Sequence, residues 1–424
     1  MEFVEKENIM SLPYAFVINH VGEGSPKIKQ YNLSTLAIVR SLGRRGVPVV
    51  LITTSSRDAV LSSKYVTHTE FCPFLHDSEE ALLSFCLQVA EKYPGDKVLL
   101  PAVDECSYFV GKYHQQLSKS YLIPAPNWNS VSKINNKRFQ YETAESLGIP
   151  IPETYYAQAP EEVEKLAGEI SNYPYVIKPN VSFEWKLKAA KSKVKGKKGV
   201  LVKDATHLRE VAKEIFVPGH EFMIQEVIGG RDERLVTCIG FYTEGGEPHS
   251  WFIRKKYRQC PVDFGYCTMT ESCHNDQVFQ QTTQLLKAMD YYGIAGVEWK
   301  LDPKTDKYKL IEINGRPVNT TGCAMASGVD LPAIAYFYAI GKSLPPVTNW
   351  EDGQRWAWLT NDFWAAKELI SEGNLTWTEW YSSIKNIKAD AVFAWDDFGM
   401  SFSYMSSFLL GLVKGKISSI INRK

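Results

Sequence analysis

Glu298 and Glu312, with Asn314 two residues further on, lie in the segment GVEWKLDPKTDKYKLIEINGR and are residue types that hold a hard divalent cation. The segment reads as two strands, GVEWKL and KYKLIEI, joined by the turn DPKTDK. Side chains alternate along a strand, so Glu312 and Asn314 are expected to share a face with Leu310. Pairing through the turn would bring Glu298 to the same face. Three oxygen donors beside one apolar side chain suit magnesium, which leaves room for phosphate oxygens. Two acids on a hairpin are also common on solvated surfaces. Here they interrupt apolar strand patterns, where an unpaired charge is expensive and metal coordination offsets the cost.

Cationic residues precede the pair. Lys178 sits in the apolar strand YPYVIKPN just before Pro179, where burial asks for an anionic partner. Arg254, Lys255, Lys256 and Arg258 fall within five positions of one another in WFIRKKYRQCPVDFGYCTMTE. A basic strand edge is the plain reading, and an Arg fork for a carboxylate is the chemical one. The stretch from Lys186 to Lys198 holds seven lysines and reads as a loop between strands, either simply solvated or closing over phosphates. GEGSPK, with Gly22 and Gly24, does not match the G-x-G-x-x-G dinucleotide fingerprint and is expected to be a turn.

These residues need a scaffold. A chain of 424 residues exceeds the usual domain length of about 100 to 200, so more than one core is expected. YAFVINH, a helical stretch from Tyr31 to Leu42 and VPVVLIT repeat the rhythm of parallel β-α-β units, continued by EEALLSFCLQVAEKY and KVLLPA. Asp104 and Glu105 follow that last strand at its carboxyl end, where open α/β sheets bind ligands. Lys+Arg and Asp+Glu both total 48, so no global field draws the chain to nucleic acid. The eight cysteines lack zinc-site spacing and are expected to be reduced thiols. MEFVEKENIM does not read as a secretory signal, and the cytoplasm is the expected compartment. Phe398 to Val413 is uncharged but broken by serines and shorter than the roughly 20 apolar residues needed to span a bilayer. The basic tail KGKISSIINRK leaves open a contact with a membrane surface or a protein, although a helix packed on the body is the plainer expectation.

Taken in order, five segments resemble the ATP-grasp superfamily, in its carboxylate-amine ligase branch of carbamoyl-phosphate-synthetase-like and D-aspartate-ligase-like enzymes. They are NNKRF with Lys137, YVIKPN with Lys178, IQEVIGGRDE from Ile224 to Glu233, GVEWK with Glu298, and IEINGR with Glu312, Asn314 and Arg316. The resemblance implies an α/β architecture: a Rossmann-like domain over residues 1–124, then an ATP-grasp domain over 125–345 whose two α+β subdomains clasp ATP. Residues of about 153–226 would form the small lid, and 346–424 a C-terminal helical appendage.

The same resemblance implies roles. Lys137 and Lys178 would be cations on the nucleotide phosphates. Gln225, Glu226, Val227 and Ile228 would be the hinge facing the adenine edge, with Val176 and Leu310 as apolar faces for the ring. Asp232 or Glu233 would accept from the ribose hydroxyls. Glu298, Glu312 and Asn314 would hold Mg²⁺ or Mn²⁺, with Asn314, Arg254 and Arg316 at the reacting phosphoryl group and Arg258 beside them. The glycine-rich phosphate loop usual in the superfamily is reduced here to Gly196 and Gly199 among Lys197 and Lys198.

The expected reaction is attack of a small-molecule carboxylate on ATP, giving an acyl phosphate that an amine or thiol displaces, with release of ADP and phosphate. A small-molecule kinase and a non-catalytic nucleotide-binding module on the same fold are the alternatives. The acid and amine are unassigned, and a homodimer is left open.

Overall fold

The fold is described from a computed structural model, over residues 12–21, 32–181, 199–262 and 265–421, with side chains to residue 410. The GEGSPK glycines and the lysine-rich stretch 186–198, including Gly196, Lys197 and Lys198, lie outside the described residues.

The first sheet is built from β1 (Tyr14–Ile18), β2 (Val49–Thr53), β3 (His68–Phe71) and β4 (Lys97–Pro101), parallel throughout in the order β3-β2-β1-β4. Its central strands are unbroken apolar runs because both faces are covered. Ala15, Val17, Val49 and Leu51 face one core, and Phe16, Ile18, Val50 and Ile52 the other. Helices Leu33–Gly43 and Glu79–Lys92 supply the covers. The second begins at Ser78, whose side chain accepts from the Ala81 N–H, and carries Glu79 and Glu80 in its first turn.

A second sheet holds β5 (Thr154–Ala157), β6 (Tyr175–Pro179), β7 (Val200–Val202) and β8 (Phe222–Glu226), antiparallel in the order β5-β8-β6-β7. Helices Pro160–Glu169 and Ala205–Ile215 close its own small core through Val163, Ile177, Leu208 and Ile224.

The largest sheet contains β9 (Leu235–Thr243), β10 (Glu247–Cys260), β11 (Tyr266–Ser272), β12 (Gly293–Leu301), β13 (Tyr308–Asn314), β14 (Arg355–Ala357) and β15 (Ile387–Asp390). The order is β13-β12-β9-β10-β11-β14-β15. One face turns Trp299 and Leu310 toward helix Asp276–Ala288, where Trp299 Nε1 donates to the Thr282 hydroxyl, and the buried cluster they join continues into the core of the first domain.

The segment beyond residue 346 carries the expected C-terminal helices and also extends the large sheet. The helices are Leu359–Ser371, Trp377–Ile384 and Phe398–Ile421, and the added strands are β14 and β15. Two fully buried carboxylates fasten it: Asp362 takes a bidentate pair from Arg258, and Asp397 accepts from Arg40 Nε at 2.9 Å. Among the described residues no helix is long and apolar enough to cross a membrane.

Candidate active site

The β12–β13 hairpin sets the site. Its turn is ordered by Asp302, whose side chain accepts from the Lys304 N–H at 2.9 Å and the Thr305 hydroxyl at 3.0 Å. Asp306 takes a positive φ of 53° there. The resulting register puts Glu298 directly opposite Glu312. Directly paired residues share a face, and the row continues from Glu298 to Thr237 on β9 and from Thr237 to Arg254 on β10. Glu312, Glu298, Thr237 and Arg254 therefore form one line across four strands. The Thr237 hydroxyl in that line is buried and has no hydrogen-bond partner among the described residues.

Leu310 departs from expectation. A bulge between Glu298 and Trp299 pairs Trp299 with Leu310 and skips Ile311. That extra residue shifts the alternation, so Leu310 turns to the Trp299 side, 0% exposed in the core and away from the glutamates. It cannot serve as a face for a bound ring on their side of the sheet.

Cations surround both carboxylates. Lys137 Nζ lies 3.0 Å from Glu312 Oε1, and Lys256 Nζ lies 3.3 Å from Glu298 Oε2, with Arg254 Nη2 at 4.0 Å. Lys137 is the first residue of helix Lys137–Ser146, and its backbone N–H donates to Asn180 O across from β6. Burial pushes both carboxyls up, yet the cations outweigh it: Lys256 and Arg254 hold Glu298 below the ordinary value, and Lys137 and Lys178 do the same for Glu312. Both are ionised at neutral pH.

Lys178 projects from β6 and donates to Gln225 Oε1 at 3.3 Å, while Gln225 Nε2 donates to the Thr154 hydroxyl. Burial lowers the Lys178 ammonium to about 8, against the pull of Glu312. Gln225 thus joins the site through its side chain, and its backbone is taken up in the ladder.

The remaining hinge residues are partly committed. The N–H groups of Glu226 and Val227 donate to Glu153 O and Pro174 O, and Ile228 O accepts from Lys300 Nζ at 2.8 Å. The Glu226 carboxylate pairs with Lys309 at 3.0 Å. Val176 is buried in β6 beneath Gly199, where a Cβ would come within 2.8 Å of its methyl. Of the two ribose candidates, Glu233 is exposed, whereas Asp232 accepts from Gln259, which also accepts from Lys256.

Three arginines have three fates. Arg254 stays in the glutamate row, its Nε donating to the Thr320 hydroxyl at 2.8 Å. Arg258 is drawn away: its guanidinium is spent on Asp362 and Ser383 in the C-terminal segment, which corrects its assignment beside the phosphoryl group. Arg316 is engaged by Asp104 at 2.6 and 2.8 Å, by Pro317 O and by Asn314 Oδ1 at 3.3 Å. Burial disfavours its charge, but the Asp104 carboxylate more than compensates and raises its pKa. Its nearest task is to position Asn314 and to join the hairpin to the carboxyl end of β4.

Lys256 was not singled out as a site residue. Its signal was the alternation itself, because it stands two positions from Arg254 on one strand and so faces the same way. All eight cysteines are free thiols, and the described residues gather no group of three or more His, Cys, Asp or Glu side chains able to hold a metal. Any cation here would rest on the two glutamates and amide oxygen.

The family described as carbamoyl-phosphate synthase L chain, ATP binding domain, matches residues 267–347, which include the hairpin. D-aspartate ligase of Enterococcus faecium is 22% identical over 265 residues, covering 60% of this chain and 62% of the ligase, so the chain spans less than two thirds of that relative. The L-amino acid ligase of Bacillus licheniformis superposes with a TM-score of 0.58 at 15% identity, over 79% of this chain and 75% of that one. N5-carboxyaminoimidazole ribonucleotide synthetase, solved with ADP, superposes at 0.60 and 15% identity over 80% of each chain. The parallel first sheet, the four-stranded antiparallel sheet and the glutamate hairpin make up a fold of the ATP-grasp type, and the sequence is similar to carbamoyl-phosphate synthase and D-aspartate ligase.

Proposed function

We propose that the chain joins a small-molecule carboxylate to an amine or thiol in an ATP- and Mg²⁺-dependent ligation that releases ADP and phosphate. The observation that carries this reading is the charge around the glutamate pair. Among the described residues Lys137, Lys178, Arg254, Lys256, Lys300 and Arg316 stand with Glu298, Glu312, Asp104 and Glu105. The cations outnumber the carboxylates, an excess that a metal alone would worsen. A metal carried on a polyphosphate would relieve it.

The donor set fits Mg²⁺: two ionised carboxylates, the Asn314 amide oxygen, and the orphaned buried hydroxyl of Thr237 in the same row. Glu298, Glu312 and Asn314 would hold the ion, which when bound supplies charge neutralisation at the phosphate oxygens. Lys137 and Lys178 would bind those oxygens as point charges. Asp232 or Glu233 would take the ribose, and the chain from Gln225 to Ile228, beside Val176, would take the base. Arg254, with Lys256 beside it, would orient the substrate carboxylate for attack on the γ-phosphate. The carboxylate oxygen forms a bond to phosphorus as ADP leaves, and the amine then displaces phosphate from the acyl group. Positioning and charge carry such a transfer, and no protein nucleophile is required.

A matrix of carboxylic acids and amines, scored for ADP and free phosphate, tests this. Release should require both partners. An acceptor that keeps the phosphoryl group without free phosphate would overturn the ligase in favour of a kinase.

A further inference from the structure

We infer that the C-terminal helix Phe398–Ile421 lays the protein on the surface of an anionic lipid bilayer. Two faces of this helix have different destinations. Met400 and Tyr404 are 0% and 5% exposed in the core, and Ser401 exchanges hydrogen bonds with both backbone groups of Ala394, so the first half is fixed to the body. At 100° per residue, Phe398, Phe402, Met405 and Leu409 fall in one narrow sector turned away from that anchor. Phe398 is 60%, Phe402 65% and Leu409 55% exposed. Trp395, just before the helix, is 81% exposed.

The apolar surface extends past the helix. Phe408 lies 6.3 Å from Phe363, which lies 5.3 Å from Trp364 and 5.8 Å from Trp377, ring centre to ring centre. Trp364 and Trp377 are themselves partly exposed. Aromatic rings with one polar edge are the side chains that settle at a membrane–water boundary.

Charge selects the occupant. From Phe398 to the last residue the sequence has no Asp or Glu and four cations, Lys414, Lys416, Arg423 and Lys424. An amphipathic helix with an apolar stripe and basic residues adheres to anionic lipid, whereas a second copy of the chain would set these cations against their own kind. The helix would lie along the surface with its apolar stripe toward the lipid.

Sedimentation of the full chain with vesicles tests the inference. It should bind vesicles of phosphatidylcholine mixed with phosphatidylglycerol and release at high salt, and it should bind phosphatidylcholine alone about tenfold less. The exposed double substitution F402D/L409D should abolish binding while leaving the circular dichroism spectrum unchanged, and K414Q/K416Q should weaken it. Failure of the wild-type chain to bind either vesicle overturns the inference. Equal binding by F402D/L409D overturns it too, as does a dimer that these substitutions dissociate when no vesicle is bound.

Discussion

Glu298 stands directly opposite Glu312 across the β12–β13 ladder, each balanced by its own ammonium, Lys256 at 3.3 Å and Lys137 at 3.0 Å. Like charges facing each other across a ladder repel. That four-charge cluster is worth keeping only if it has work to do with a ligand.

Replacing Glu312 by Gln should therefore lower turnover by about 10²–10³-fold, the scale of losing one charged group from a transition-state site. Differential scanning fluorimetry with MgADP gives an independent readout. The wild type should gain thermal stability from the ligand and E312Q should gain little. Full activity in E312Q would remove the hairpin from the site.

The same carboxyls make a prediction for acid. Their cationic neighbours hold both below the ordinary value despite burial, so the unfolded chain binds more protons as pH falls. The stability they provide is complete above the usual carboxylate pKa of about 4.3 and is lost as pH drops through the lowered folded values. Urea unfolding between neutral pH and about pH 3 should show this loss, with a shallower slope in E298Q.

Lys178 gives the opposite sign at alkaline pH. Burial brings it to about 8 in the ligand-free protein, and phosphate oxygens would raise it again. Binding then takes up a proton above pH 8. MgADP affinity measured calorimetrically should be constant below that value and weaken by up to about tenfold per pH unit above it. K178R keeps its charge throughout and should flatten the profile.

Arg258 and Asp362 test where the site ends. The pair is buried and bidentate, and Asp362 also accepts from Thr268 and Trp380. D362A should cost about 3–5 kcal/mol in urea unfolding by stranding a buried guanidinium. The KM for ATP should stay unchanged in whatever protein remains folded.

The hairpin and the parallel first sheet were legible because each depends on local pattern: alternation, turn chemistry and unbroken apolar runs. What escaped was long-range. Arg258 looks like Arg254 in the sequence, and only the packing of a helix a hundred residues later decides which of them is spent on a carboxylate. Leu310 was misplaced by a single bulged residue that no alternation rule reveals. β14 and β15, three and four residues long, carry too little pattern to be read as strands before the sheet edge that receives them is known.

The central claim is that a substrate carboxylate attacks ATP at the glutamate hairpin. Oxygen-18 in the carboxylate of the accepted acid follows that bond directly. One labelled oxygen should appear in the phosphate released when the amine is present, because the oxygen bonded to phosphorus leaves with it. Phosphate released without the label would mean that water, not the acid, receives the phosphoryl group, and would contradict the account.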